Sequence, residues 1–252
     1  MDLRVEHLAV SIARQSIIQD VSLNVMNHSF TALLGPNGSG KSTLLKAIYR
    51  ILRPQNGTIF LDNQNLTEIP SKKIAQKMAV VSQFQQNSFD FTVEEVVLMG
   101  RSPHLKALEK LHPEDWQLVE DALEKTGLVG LRKRAVANLS GGEQQRVTMA
   151  RAIVQNPSLM ILDEPSNHLD IKYQLELLKL IRQLNLNALA ALHDLSLAAQ
   201  FCDYLYFLKD GFIRYEGKPN DIITKEVIKD IYEVDCEVSL DSKTNHLQIS
   251  YY

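Results

Sequence analysis

Eight consecutive residues near the start of the chain are predicted to hold the phosphates of a nucleotide. The stretch Gly35-Pro36-Asn37-Gly38-Ser39-Gly40-Lys41-Ser42 fits the pattern G-x-x-x-x-G-K-[ST] of phosphate-cradling loops. Its glycines let successive backbone N–H groups turn inward and bind an anion at the start of a helix. We expect Lys41 to reach the terminal phosphates and Ser42 to give its hydroxyl to Mg²⁺. Thr43, the next residue, is included in the predicted binding set.

The segments on either side of this loop are the ones that such a site requires. Residues 30–34 are a short, mostly apolar run that predicts a buried strand, and residues 43–48 have apolar residues at helical spacing. Strand, loop and helix therefore follow in the required order. This context argues against a surface loop that is rich in glycine by accident.

Polar residues follow three more predicted strands of the chain. Asp163 and Glu164 end the apolar run 159–162, His193 follows the strand 188–192, and Gln83 comes just after the strand 79–81. In an open α/β sheet, ligands bind at the carboxyl edge of the strands. We expect Asp163 to hold Mg²⁺ and Glu164 to polarise the attacking water. His193 is expected to touch the γ-phosphate, and the Gln83 amide to meet the metal or the water.

A second glycine-containing loop leads into a helix at residues 139–146, with the sequence Leu-Ser-Gly-Gly-Glu-Gln-Gln-Arg. Ser140 is a good N-cap, and Gly141 and Gly142 would expose backbone N–H groups at the positive end of the helix. The loop is either a plain N-cap or a second anion site. A second anion site makes sense if it closes over the nucleotide of another copy of the chain.

The composition is that of an ordinary globular protein. The chain has 252 residues, 45% of them hydrophobic, and its 27 basic and 30 acidic residues give a net charge of −3. This charge does not indicate a protein that coats nucleic acid.

Cys202 and Cys236 have no partner at metal spacing, so buried free thiols are expected. The first residues lack the apolar run of a signal peptide, and no run is long enough for a membrane span. We therefore expect a cytosolic protein, with any membrane spans supplied by other chains.

The order of predicted elements indicates an α/β domain with a helical insertion. Strands are expected at 3–10 and 17–25, and a helix from Pro70 and Ser71 to about residue 77. Residues 87–157 change to helical spacing, with helices at 93–99, 113–126 and 144–155. A capped helix after Thr224 and a small β unit, 236–240 and 246–249, end the chain. One side of the predicted helix 113–126 is charged and is expected to be a solvated face. Its residues are Asp115, Glu120, Asp121, Glu124 and Lys125.

Taken together, these motifs resemble the ATPase subunit of an ABC transporter along essentially the whole chain. The matching motifs, in the family's order, are the Walker A loop (35–42), the Q-loop glutamine (Gln83), the signature motif (139–144), the Walker B strand (159–164), the D-loop (Ser166-Asn167-His168-Leu169-Asp170) and the switch histidine (His193). The resemblance implies an α/β fold with a P-loop NTPase (RecA-like) core, an N-terminal antiparallel β subdomain and an inserted α-helical subdomain. The implied boundaries are 1–86 and 158–216 for the core with its β subdomain, 87–157 for the helical subdomain and 217–252 for the C-terminal part.

The resemblance also implies cofactors and partners. ATP and Mg²⁺ would bind between two copies arranged head to tail, so that Ser140, Gly141, Gly142 and the D-loop Asp170 of one copy complete the site of the other. The expected partners are a second copy, a membrane permease that docks near Gln83 and, indirectly, an external substrate-binding protein, with no nucleic acid. The location implied is the cytoplasmic face of the cell (inner) membrane, as a peripheral subunit.

The segment 91–104 resembles the group that serves importers of iron–siderophore complexes, haem and cobalamin. The alternatives are a soluble ABC ATPase acting in repair, translation or cofactor assembly, and a small-molecule kinase, which shares only the phosphate loop. Among cargoes, metal chelates, haem and cobalamin stay open, and molybdate is ranked below these three. Arg101-Ser102-Pro103-His104 is expected to be a turn between helices without a chemical role.

Two positions depart from the family pattern. Ile12 stands where an aromatic residue often stacks on adenine, so Arg14 or plain apolar contact would replace the ring. Glu143 stands where Gln is commoner in the signature motif, and little consequence is expected because Ser140 and Gly142 are intact.

Overall fold

A computed structural model describes residues 2–82, 91–106, 109–165, 170–242 and 246–252. The strands are β1 Leu3–Ile12, β2 Gln15–Val25, β3 Phe30–Leu34, β4 Asn56–Leu61, β5 Gln64–Asn65, β6 Met78–Val81, β7 Leu159–Asp163, β8 Asn187–Ala191, β9 Tyr204–Lys209, β10 Phe212–Gly217, β11 Cys236–Leu240 and β12 Leu247–Tyr251. The helices are α1 Lys41–Ile48, α2 Ser71–Lys77, α3 Val93–Leu98, α4 Pro113–Lys125, α5 Gly141–Val154, α6 Ile171–Gln183, α7 Leu195–Phe201, α8 Pro219–Ile222 and α9 Lys225–Tyr232. Within these described ranges, none of the helices combines the length and apolar character that a bilayer span needs.

The chain divides into two compact units, and the first comprises residues 1–68 and 181–252. Its sheet strands lie in the order β5-β4-β1-β2-β10-β9-β3-β8. β3 runs parallel to both of its neighbours, β8 and β9, and all five of its residues are buried. A parallel strand covered on both faces reads as a continuous apolar run. This explains why residues 30–34 could be identified as a strand from sequence, and it confirms the α/β fold class.

The N-terminal part of this unit is antiparallel, as predicted. β1 pairs with β2 from Leu3↔Val25 to Ile12↔Gln15, and with β4 on its other side. Ala13 and Arg14 both have positive φ, 48° and 69°, which is the geometry of a tight two-residue hairpin turn. Ile12, the residue at the expected adenine position, is 44% exposed beside this turn.

The C-terminal residues add a helix and a hairpin to the first unit. The Val227 amide donates to Oγ1 of Thr224 at 3.3 Å, so the predicted N-cap of α9 is confirmed. β11 and β12 pair from Cys236↔Tyr251 to Leu240↔Leu247 and form the predicted small β unit. Cys202 and Cys236 are both free and buried, as expected. Burial raises the pKa of the Cys202 thiol, so this thiol stays protonated.

The second unit comprises residues 69–180. β6 and β7 pair in parallel from Met78↔Leu159 to Val81↔Leu162. Helices α3, α4 and α5 enclose a buried apolar cluster that includes Val97, Leu123 and Val147. The predicted helical insertion, 87–157, lies inside this unit, and its boundaries stay a prediction. α5 begins at Gly141, three residues before the predicted start, because Ser140 caps it.

The prediction of a solvated face on α4 is wrong for Asp115. This residue is only 5% exposed, and its carboxylate accepts from Nε of Arg101 at 2.7 Å. Arg101 also donates to the carbonyl of Val154 at 2.9 Å, at the C-terminal end of α5. A buried carboxylate needs such a cation because leaving one buried charge unpaired is strongly destabilising. Burial acts to raise the pKa of Asp115, but hydrogen bonds from the His112 backbone N–H and from Arg101 together outweigh it, so the pKa is lowered.

Residues 101–104 belong to a 3-10 helix, Met99–His104, that connects α3 to the following segment. Besides Arg101, His104 contributes a ring nitrogen 2.9 Å from the carbonyl of Gln155. A Cβ added to Gly100 would lie 2.3 Å from the carbonyl oxygen of Arg151, so only glycine allows this close approach to α5. The contacts of these residues are structural ones that hold the C-terminal end of α5.

Candidate nucleotide-binding site

The predicted phosphate loop leaves the carboxyl end of β3 and ends at the start of α1. Gly35 has φ 146°, and a Cβ there would lie 2.0 Å from the carbonyl oxygen of Leu208 in β9. Gly40 has φ 107°, and a Cβ there would lie 2.6 Å from the side chain of Ile18. Both backbone angle and space therefore require glycine at the two ends of the loop.

The N-terminus of α1 is open to a ligand. Gly40 is its N-cap, and within the described residues no side chain caps it. The first turn, Lys41-Ser42-Thr43, contains no acidic residue. The backbone N–H groups of a helix start together with the helix dipole favour an anion, and the first turn of α1 contributes no carboxylate of its own that would compete for them.

Lys41 and Ser39 are both buried within the loop. Lys41 is 5% exposed, and its Nζ donates to the carbonyl oxygens of Gly35 at 2.7 Å and Pro36 at 3.1 Å. These bonds fix the ammonium group at the loop itself. The Oγ of Ser39 is buried and has no hydrogen-bond partner in the described part of the chain. A buried orphan hydroxyl beside a held cation fits a loop that binds phosphate oxygens.

His193 follows β8, the parallel neighbour of β3. Leu33 pairs with Ala191, and the Leu192 amide donates to the carbonyl of Leu33 at 3.1 Å. The carboxyl ends of the two strands therefore lie side by side, which brings exposed His193 to the edge that carries the phosphate loop. Asp194, the next residue, caps α7 by accepting from the Leu197 amide at 2.8 Å, which fixes the chain after His193.

In the second unit, Asp163 and Glu164 come at the end of a strand, as predicted. The first four residues of β7 are buried, whereas Asp163 and Glu164 are half-buried. Glu164 has φ 52°, the left-handed region that non-glycine residues rarely adopt. Such conformations cost about 1–3 kcal/mol and persist where surrounding contacts enforce them. Nε2 of Gln145 holds the next residue by donating to the carbonyl of Pro165 at 3.1 Å.

The signature loop also lies in the second unit, at the N-terminus of α5. Ser140 caps this helix, and the Glu143 carboxylate accepts from the Ser140 amide at 2.7 Å and from its hydroxyl at 2.8 Å. The two residues therefore form a capping box. The Ser140 backbone N–H lowers the pKa of Glu143, and the Ser140 hydroxyl adds to this, so Glu143 is ionised at neutral pH.

A family model for ABC transporters matches residues 18–167. The chain belongs to the ABC transporter family. An iron(3+)-hydroxamate import ATP-binding protein of Bacillus subtilis (FhuC) is 36% identical over 96% of this chain and 92% of its own length. A hemin import ATP-binding protein of Bradyrhizobium diazoefficiens (HmuV) is also 36% identical, over 94% of this chain and 90% of its own length.

A solved structure gives the same result for the fold. The chain superposes with TM-score 0.84 and 28% identity on an ABC transporter in an inward-facing conformation, described as of metal-chelate type, covering 99% of this chain and 96% of the other. The chain is thus an ABC transporter ATP-binding domain, as the resemblance implied. As a member of this family the chain is an ATPase, and the family uses ATP hydrolysis to drive transport.

Some predicted residues of the ABC site lie outside the described part of the chain. These are Gln83 and the D-loop residues 166–169, whose roles stay predictions. Asp170 is described and exposed, and its carbonyl accepts from the Gln174 amide at 3.0 Å in the first turn of α6. Thr43 is half-buried in the first turn of α1.

The capping role of Glu143 in the ABC signature loop was not predicted from sequence. The spacing Ser140-x-x-Glu143 is the signature of a capping box and could have been recognised. The same signature occurs at the start of α3, where Thr92 and Glu95 form a second capping box. Little consequence is expected of Glu143 from the signature pattern, whereas in the structure its carboxylate closes the N-terminus of α5.

Proposed function

We propose that this ATPase powers an importer for an iron–siderophore complex, haem or cobalamin. The printed functions of FhuC and HmuV, which are import of iron(3+)-hydroxamate and of hemin, support this cargo class. Cobalamin stays in the proposal because segment 91–104 resembles the importer group that includes it. No observation favours a soluble ATPase of repair or translation, since the relatives reported above are import proteins.

The observation that carries the nucleotide role is the phosphate loop of the first unit. It combines an open α1 N-terminus, a buried cation held at the loop and a buried hydroxyl without a partner. In our proposal residues 35–43 bind the ATP phosphates, with Lys41 neutralising the terminal ones. His193, at the same edge, donates a ring N–H to the γ-phosphate. Ile12 and Arg14 contact the adenine in place of an aromatic ring.

The oxygen donors of the chain fit Mg²⁺. Within the described ranges, no group of three or more His, Cys, Asp or Glu side chains could hold a metal ion by itself. Mg²⁺ commonly binds one or two protein oxygens together with substrate phosphates and water. Ser42 and Asp163, with Gln83, would supply the protein ligands, and the ion would neutralise developing charge on the phosphates. Glu164 would accept proton density from the attacking water.

We propose that Ser140, Gly141, Gly142 and Asp170 act on the nucleotide bound to the partner subunit in a homodimer. A second helix N-terminus with glycines, of which Gly141 is exposed and Gly142 half-buried, has no evident use for the nucleotide bound to its own chain. Closure of the dimer on ATP would switch a membrane permease between its two access states, and hydrolysis would reset it. The chain would therefore sit on the cytoplasmic face of the cell (inner) membrane, bound to a permease that receives cargo from an external substrate-binding protein.

The cargo is tested by uptake in cells that lack this gene. Cells are complemented with the wild type, with Glu164→Gln or with Lys46→Ala, an exposed lysine on α1 that serves as control. We expect uptake of one labelled cargo among ferric hydroxamate, haem and cobalamin to require the wild type or Lys46→Ala. Normal uptake of all three without the gene would contradict the cargo class.

The dimer is tested with purified Glu164→Gln protein. Loss of the general base slows hydrolysis by about 10²–10⁴-fold, so the ATP-bound dimer should accumulate and double the mass measured by light scattering. The wild type with ADP serves as the monomeric control. A Glu164→Gln protein that stays monomeric at saturating ATP would contradict the proposed dimer of the isolated subunit.

A further inference from the structure

Two buried hydroxyl groups without a partner border the same glycine of the phosphate loop. In the part of the chain that the structure describes, Ser39 Oγ and Tyr232 OH are buried side-chain oxygens that make no hydrogen bond. A Cβ added to Gly35 would lie 3.0 Å from Ser39 Oγ. The Gly35 backbone N–H lies close enough to the phenolic oxygen of Tyr232 to lower the pKa of that hydroxyl against the opposing effect of burial, but the pair does not have the geometry of a full hydrogen bond. Ser39 belongs to the loop, whereas Tyr232 is the last residue of α9.

The position of Tyr232 follows from how α9 packs. Val227, Ile228 and Ile231 are buried on one face of this amphipathic helix. The Tyr232 ring meets the Phe207 ring edge to face, with centroids 6.5 Å apart and an interplanar angle of 80°. Phe207 in β9 pairs with Leu34, the residue immediately before Gly35. The chain of contacts from α9 through β9 therefore ends at the first residue of the phosphate loop.

The C-terminal end of α9 is itself anchored to β9. Lys209, the last residue of β9, donates from Nζ to the carbonyl of Asp230 and to the Glu233 carboxylate, the latter at 3.2 Å. A lysine at the C-terminal end of a helix also interacts favourably with the helix dipole. The Leu208 carbonyl oxygen, next to this lysine, is the atom that a Cβ added to Gly35 would meet first, at 2.0 Å. Two sets of contacts therefore fix Tyr232 near Gly35: its ring packs on Phe207, and Lys209 binds the backbone and side chain of its neighbours Asp230 and Glu233.

A buried hydroxyl without a partner is unfavourable, and an apolar residue of the same shape avoids that cost. Phe would keep the ring contact with Phe207, so packing alone does not require the hydroxyl. Burial also raises the pKa of Tyr232, so this side chain is neutral and does not repel phosphates. The Tyr232 oxygen is therefore a neutral acceptor next to the Gly35 amide. It can accept a hydrogen bond from that amide once bound phosphate changes the orientation of the loop.

We propose that Tyr232 is a positioning residue for ATP binding, whose hydroxyl accepts a hydrogen bond from the Gly35 amide when phosphates occupy the loop. Through this bond α9 sets the first turn of the loop in its binding conformation. The residue does not contact ATP in this proposal. The inference rests on the proposed role of residues 35–43 in binding the phosphates.

The test compares two conservative variants, Tyr232→Phe and Tyr206→Phe. The Tyr206 hydroxyl is a structural one, since it accepts from the Asn24 amide at 2.9 Å and donates to its carbonyl at 3.1 Å. For Tyr206→Phe we expect a lower melting temperature with and without ATP, and unchanged ATP affinity. For Tyr232→Phe we expect an unchanged or higher melting temperature without ATP, and ATP affinity about 3- to 10-fold weaker.

The measurements are thermal unfolding and isothermal titration of the full chain with Mg-ATP, followed by steady-state turnover. Tyr232→Phe should raise KM by the same factor and leave kcat unchanged. Wild-type affinity in Tyr232→Phe, or a melting temperature that falls without ATP as in Tyr206→Phe, would overturn the inference alone. Failure of the wild type to bind ATP would overturn the proposed role of the loop as well.

Discussion

Two helices of this protein, α1 and α5, have glycines at their N-termini, and they differ in whether a side chain caps the free backbone N–H groups there. α1 has Gly40 as its N-cap and no side-chain cap in the described residues, and a buried lysine stands in its first turn. α5 has Ser140 as its N-cap in a complete capping box, and an ionised Glu143 stands in its first turn. The first site is prepared for an anion within one chain. The second is already occupied by its own carboxylate, so a phosphate must compete with it.

This difference fits the proposed division of labour. A helix start that carries a cation binds phosphate strongly and would hold ATP in the monomer. A start closed by its own carboxylate binds phosphate weakly and would engage only when the partner subunit brings its nucleotide close. Variants that act on one start and spare the other can therefore test the comparison.

The largest effect is expected for Lys41→Ala in the phosphate loop. Removing the cation should lower kcat/KM for ATP by at least about 100-fold, as for other groups that stabilise transition-state charge. Lys46→Ala, on the same helix but exposed, should keep wild-type turnover. Turnover is measured by phosphate release from purified protein. Undiminished turnover in Lys41→Ala would remove the assignment of the phosphate loop.

An intermediate effect is expected for Ser140→Ala at the second helix start. Loss of the cap should lower the free energy of unfolding by about 1 kcal/mol. It should leave ATP affinity of the monomer unchanged and abolish the ATP-dependent dimer in the Glu164→Gln background. Thr92→Ala is the matched control, because Thr92 caps α3 through the same kind of box. It should cost similar stability without affecting the dimer; equal dimer loss in both variants would reduce Ser140 to a structural cap.

The parts of the fold that sequence predicted are those fixed by local pattern. The strand 30–34, the helix that follows the glycine loop and the cap at Thr224 depend on residues a few positions apart, and all are confirmed. Asp115 was misjudged because its burial depends on Arg101 and Val154, which come from other elements. Tyr232 could not be predicted, since its approach to Gly35 depends on the packing of α9 against β9.

The smallest effect is expected for Glu143→Gln, and it depends on pH and salt. The folded-state pKa of Glu143 lies below its ordinary value, so its ionised form stabilises the protein above pH 4.5 and this contribution is lost as pH falls through the lowered pKa. The stability difference between wild type and Glu143→Gln should therefore shrink below pH 4.5. Glu95→Gln, in the capping box of α3, should show the same pH dependence, because hydrogen bonds from Thr92 lower the pKa of Glu95 too.

Glu143→Gln and Glu95→Gln should differ in the ATP concentration that they need for dimerisation. If an ionised carboxylate at the start of α5 opposes the incoming γ-phosphate, removing its charge should lower the ATP concentration for half-maximal dimerisation by about two- to fivefold. The experiment is done by light scattering in the Glu164→Gln background, and the shift should fade as salt screens the charge. Glu95→Gln should leave the midpoint where it is. A midpoint that rises in Glu143→Gln would mean that the carboxylate helps the signature loop by ordering it, and that electrostatic competition does not distinguish the two helix starts.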